Sequence, residues 1–119
     1  MKKYIYILLG TLFVISCSDI IEVPDISNNA VTLIAPSDNA TLSITTLSLS
    51  WDLVEDAESY QVQVAQPDFE TILQLVIDST LTQNSISVEL EANTSYQWRV
   101  RGKNSDYSTP YTTYSFTLE

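Results

Sequence analysis

Between Val31 and Leu118, apolar side chains return at every second position in one short segment after another, the rhythm of half-buried β-strands. "LSLSW" sets Leu47, Leu49 and Trp51 on one face and Ser48 and Ser50 on the other. "YQVQVA" turns Tyr60, Val62 and Val64 one way and Gln61 and Gln63 the other, and "SISVEL" alternates through Ile86, Val88 and Leu90. "YQWRVRG" separates Tyr96, Trp98 and Val100 from Gln97, Arg99 and Arg101, and "TYSFTL" sets out Tyr114, Phe116 and Leu118. "VTLIAP" supplies a first strand closed by Pro36, with "SDNAT" as the turn after it. The run Thr71 to Ile77 is more continuously apolar, and its β-branched ends favour a strand over a helical turn. Seven strands in about 90 residues, with turn signals between them, predict an all-β, antiparallel, immunoglobulin-like sandwich of two sheets. Trp51, Tyr60, Trp98 and Phe116, with Tyr96 and Tyr114, are the expected core, because large inward aromatics supply most of the apolar area that a small sandwich can bury.

This core has no covalent brace. The chain has one cysteine, Cys17, so no disulfide can form within it. It has no histidine, which removes the commonest general base and metal ligand together with the Ser-His and Cys-His nucleophile pairs. Fifteen acidic residues against five basic give a net charge of −10, a surface that repels phosphate backbones and argues against nucleic acid as a partner. Asp52, Glu55, Asp56 and Glu58 crowd one loop, but their spacing matches no calcium loop and lacks the turn glycine, so they read as a solvated acidic loop. Paired carboxylates for glycoside hydrolysis would need a cleft that a sandwich of this size rarely offers. The expectation is a non-catalytic protein with no metal and no cofactor.

The N-terminus reads "MKKYIYILLGTLFVISCS": Lys2 and Lys3, then an apolar run from Tyr4 to Ile15, then Ser16 and Cys17. That run suits a secretory signal and falls short of the roughly 20 residues that span a bilayer. Val14-Ile15-Ser16-Cys17 resembles the lipobox of bacterial lipoproteins. The resemblance implies cleavage after Ser16, a diacylglycerol thioether on Cys17 and an acylated new amino terminus, giving a membrane partner through lipid. Residues 1–16 would then be the signal peptide, 17–29 the lipidated terminus and an extended linker, and 30–119 the folded domain. Loss of Lys2 and Lys3 would leave Arg99, Arg101 and Lys103 as the basic residues and take the net charge from −10 to −12. Ser18 after the cysteine is similar to outer-membrane sorting signals, and Asp19 with Glu22 partly resembles surface-export signals of some Gram-negative lipoproteins. The expected place is the bacterial cell envelope, at the outer membrane.

The stretches "LSLSWDLVEDAESYQVQVA" and "LEANTSYQWRVRGKNSDYSTPYTTYSFTL" together resemble a bacterial fibronectin type III domain over nearly all of Val31 to Leu118. Leu90 six residues before Tyr96 matches the tyrosine corner of that family, in which the tyrosine hydroxyl bonds to nearby backbone. The sequence departs from the family at Asp106 and Tyr107, where a glycine usually follows the asparagine of the last loop. Candidate binding residues are Tyr107 and Tyr111 of "KNSDYSTPY", and Arg99 and Arg101 on the outward face of their strand. The bland reading of the arginines is pairing with nearby carboxylates while their stems cover the sheet. The resemblance implies a module for protein interaction or spacing. The alternative is a glycan-binding accessory lipoprotein similar to the SusE-type proteins of polysaccharide uptake.

Overall fold

The computed structural model describes residues 22–119; the leader, Cys17 and the expected cleavage site lie outside them. Eight strands run β1 (Leu33–Ala35), β2 (Ala40–Leu42), β3 (Thr46–Trp51), β4 (Ser59–Gln66), β5 (Gln74–Leu81), β6 (Ser85–Glu89), β7 (Thr94–Lys103) and β8 (Thr112–Leu118). They form the expected two-sheet sandwich, with β1-β3-β6 as one sheet and β2-β8-β7-β4-β5 as the other. The period-2 alternation is realised residue by residue. Leu47, Leu49 and Trp51 of β3 face Tyr60, Val62 and Val64 of β4 and Tyr96, Trp98 and Val100 of β7 across one buried cluster. A one-residue slip of any of these strands would turn its buried row out to water, so the pattern also fixes register.

Aromatic pairs pack the core, one of them (Trp51–Tyr60) between the sheets and two of them between β7 and β8 of the five-stranded sheet. Trp51 tilts against Tyr60 with ring centroids 5.8 Å apart, Tyr96 stacks on Phe116 at 5.5 Å, and Trp98 meets Tyr114 edge-on at 6.4 Å. Two of the crossings between the sheets, β3 to β4 and β6 to β7, are each tied by a tyrosine. Tyr96 Oη accepts the Glu91 backbone N–H at 2.9 Å in the β6–β7 turn. Tyr60 Oη accepts the Val54 N–H at 2.8 Å in the β3–β4 loop. The sequence repeats itself here: "VEDAESY" and "LEANTSY" each place an aliphatic residue six before the tyrosine. Each loop also holds one left-handed residue, Asp56 at φ 69° and Asn93 at φ 59°.

Three features depart from the sequence reading. An eighth strand, β2, begins inside the expected "SDNAT" turn and pairs in parallel with Phe116–Leu118 of β8. Three residues are too few to show a period, and the pairing partner lies more than 70 residues away in sequence. β5 starts at Gln74, not Thr71, and runs to Leu81. Asp68 is the cause: its Oδ1 accepts the N–H groups of Glu70 and Thr71 and the Thr71 hydroxyl, holding that stretch as a turn and the carboxyl below its usual range. Finally, residues 22–29, within the stretch read as an extended linker, lie against the sandwich. Ile26 is 1% exposed, Asn29 N–H closes a turn on Ile26 O, and Asn104 Nδ2 donates to Pro24 O at 2.9 Å.

Register defines two ends. Ser59 of β4 pairs with Lys103 of β7, and Leu33 of β1 pairs with Trp51 of β3. The entering chain, the acidic β3–β4 loop and the β7–β8 loop therefore share one end. Gln66, Thr94 and Leu118 mark the other, where the β4–β5 and β6–β7 connections turn.

Candidate binding face

β7 alternates strictly, so while Tyr96, Trp98, Val100 and Gly102 point into the core, Gln97, Arg99, Arg101 and Lys103 share the outer face of the five-stranded sheet. Their cross-strand partners on β4 are polar too: Gln63 stands opposite Arg99 and Gln61 opposite Arg101. Arg99 Nε donates to Gln63 Oε1 at 2.8 Å, while Arg101 donates through Nε and Nη2 to Gln61 Oε1 at 3.0 and 2.7 Å. Gln61 Nε2 in turn donates to Asp78 Oδ1 at 3.0 Å, so Arg101 is linked to that carboxylate through an amide. Among the described residues neither arginine forms an ion pair. Pairing with carboxylates was the sequence expectation, and glutamine at the two facing positions explains the difference.

Aromatic rings complete the ladder. The β4–β5 loop folds over the sheet, where Phe69 N–H donates to Gln97 Oε1 at 2.9 Å. The Arg99 guanidinium lies 4.0 Å from the Phe69 ring centroid and 4.2 Å from that of Tyr111, and Arg101 lies 4.8 Å from Tyr111. Next to Phe69, the same loop exposes Ile72 and Leu73, and Leu75 follows on β5. Aromatics and arginine beside apolar side chains are the composition of interface centres.

The structure divides the candidate residues. Arg99, Arg101 and Tyr111 come together on the sheet. Tyr107, 37% exposed, stands at the entering end, where with Asp106 and residues 22–25 it lines an open cleft of about 610 Å³. Its loop is closed by Asn104, whose Oδ1 accepts the N–H groups of Asp106 and Tyr107. Leu90 and Tyr96 are buried at the β6–β7 turn, and Trp51, Tyr60, Trp98 and Phe116 are core. Sequence reasoning missed Phe69, which stands in a loop with no period to mark it. It had Gln61 and Gln63 facing outward without seeing that they hold the arginines. Asp52, Glu55, Asp56 and Glu58 are all exposed, and among the described residues no three potential metal ligands converge.

No family model and no curated protein matches the chain. Solved structures do. One described as "FN3tt mut" is 20% identical, with a TM-score of 0.50 over 73% of this chain and 86% of its own. A structure described as that of a myokine is 18% identical, with a TM-score of 0.53 over 76% of this chain and 98% of its own. A computationally redesigned β-sandwich protein is 20% identical, with a TM-score of 0.52 over 74% and 88%. At such identities the likeness speaks to fold, and the fold is a sandwich of the fibronectin type III kind.

Proposed function

From a fibronectin type III sandwich as premise, we propose that this chain is a non-catalytic lipoprotein of the bacterial cell envelope, anchored at the outer membrane through Cys17 and presenting the sandwich to a partner protein. The observation that carries the reading is the outer face of β7, where arginine, aromatic and exposed apolar side chains meet without a carboxylate partner. The lipobox-like Val14 to Cys17 supports the anchor. Two experiments test it. In cells fed an alkyne fatty acid, wild type is expected to label and Cys17→Ser to lose the label; equal labelling of both, or none of either, overturns the anchor. A photo-crosslinking residue at Thr113, opposite Arg99 on β8, is expected to trap a protein in cells that the same residue at Ser87, on the other sheet, does not. Equal yields at the two positions overturn the interaction role.

A glycan-binding role similar to that of SusE-type lipoproteins is the second reading. It is favoured by exposed Tyr107 beside the open cleft at the entering end. A glycan array read with wild type and Tyr107→Ala separates the two, since sugar binding lost with Tyr107 belongs to the second reading alone.

A further inference from the structure

The basic residues of the described chain, Arg99, Arg101 and Lys103, stand at alternate positions of one strand. Neighbours on one face of a strand are about 6.6–6.8 Å apart, and so are alternate side chains of any extended peptide. Resting on the reading of this protein as an interaction module, we infer that the outer face of β7 docks an extended protein segment carrying carboxylates at alternate positions, each meeting one rung of the ladder.

The guanidinium groups are set for this. A glutamine oxygen and the overlying rings hold the Arg99 plane, so little side-chain freedom is left to lose on binding. Among the described residues, the arginine hydrogen bonds use Arg99 Nε and Arg101 Nε and Nη2, which leaves both Nη groups of Arg99 and Arg101 Nη1 without one. A fork with open N–H groups matches a carboxylate in two-bond geometry.

Charge elsewhere sharpens the choice. With fifteen acidic residues in the chain, an acidic partner is repelled by most of the surface, and docking is attractive only along β7. Phe69 and Tyr111 present their faces to guanidinium groups, which weighs against their use as stacking platforms for sugar rings. Ile72, Leu73 and Leu75 give the docked segment an apolar border on the β5 side. Asp78, linked to Arg101 through Gln61, opposes the ligand from the β5 side.

The test uses the full chain in detergent micelles, watching the Arg99 and Arg101 Nε–H resonances by NMR. The probes are the peptide Ser-Glu-Ser-Glu-Ser-Glu-Ser, its charge-matched block form Ser-Ser-Glu-Glu-Glu-Ser-Ser, and polygalacturonate. The alternating peptide is expected to bind about fivefold tighter than the block peptide and to weaken as salt rises. Arg99→Gln is expected to weaken it about tenfold and Arg99→Lys by nearly as much, because lysine keeps the charge and loses the fork. Asp78→Asn is expected to tighten binding about twofold. Unchanged Trp51 and Trp98 indole signals in each variant show that the fold is intact. Equal affinity for the two peptides, no response to either, or full affinity in Arg99→Gln overturns the inference. Stronger shifts with polygalacturonate overturn it in favour of an acidic glycan. A cross-linked partner at Thr113 without alternating acids defeats this inference alone and leaves the interaction role standing; loss of the cross-link defeats the role itself.

Discussion

Trp98→Ala is expected to leave the domain close to unfolded at physiological temperature, at a cost of about 3–5 kcal/mol. Trp98 is fully buried at the centre of β7, between β4 and β8, and its ring meets Tyr114 edge-on. A domain of this size has about 5–15 kcal/mol of stability, and no disulfide within the chain restrains the unfolded state. Urea unfolding followed by the fluorescence of Trp51 reads the effect as a large drop in midpoint. A midpoint within experimental error of wild type would contradict the packing described. Trp98→Phe provides the informative contrast. The indole N–H groups of Trp98 and Trp51 are buried without a hydrogen-bond partner. An unpaired buried donor costs about 1–3 kcal/mol, so phenylalanine removes ring volume and that penalty together. Its net cost is expected to be under half that of alanine.

Removing the two tyrosine hydroxyls has the next largest effect. Tyr96→Phe strands the Glu91 N–H, and Tyr60→Phe strands the Val54 N–H, each at about 1–2 kcal/mol because both groups are only partly buried. The β3–β4 loop and the β6–β7 turn lie at opposite ends of the sandwich, so the double variant is expected to lose the sum of the single losses within about 0.5 kcal/mol. Equilibrium unfolding of the four proteins measures this directly. A double variant no worse than either single one would show that the two ties are not independent. The Tyr60 tie is the instructive one, because the tyrosine-corner resemblance covers Tyr96 alone, while "VEDAESY" carries the same spacing in plain view.

What the sequence made legible follows from what repeats in it. β3, β4, β7 and β8 alternate over five or more residues with large inward side chains, and their faces and burial could be read directly. β2 could not, because three residues carry no period and its partner is supplied by the far end of the chain. The start of β5 was obscured by Thr71, which has strand propensity but is claimed by the Asp68 carboxylate. Of the binding face, the outward placement of Arg99 and Arg101 follows from alternation alone. Their environment does not, because Phe69 and Tyr111 reach them from loops whose path depends on tertiary packing. Ile26 was hidden for the same reason, as a lone isoleucine in a polar stretch gives no sign of whether it finds a pocket.

The parallel pairing of β2 with β8 has a mechanical consequence. The entering chain leads toward β2 from one end of the sandwich, and β8 leads out at the other, so tension along the backbone slides these strands past each other. The ladder that resists runs from the Asn39 N–H on Ser115 O, through Ala40–Leu42, to the Glu119 N–H on Leu42 O. Loaded in shear, its bonds bear force together; in an antiparallel hairpin pulled at its open end they would break in succession. Single-molecule pulling between Glu22 and Glu119 is therefore expected to show one high-force rupture that Leu42→Pro, which breaks the ladder, lowers sharply. A gradual, low-force opening of the wild type would show that this short seam carries no load.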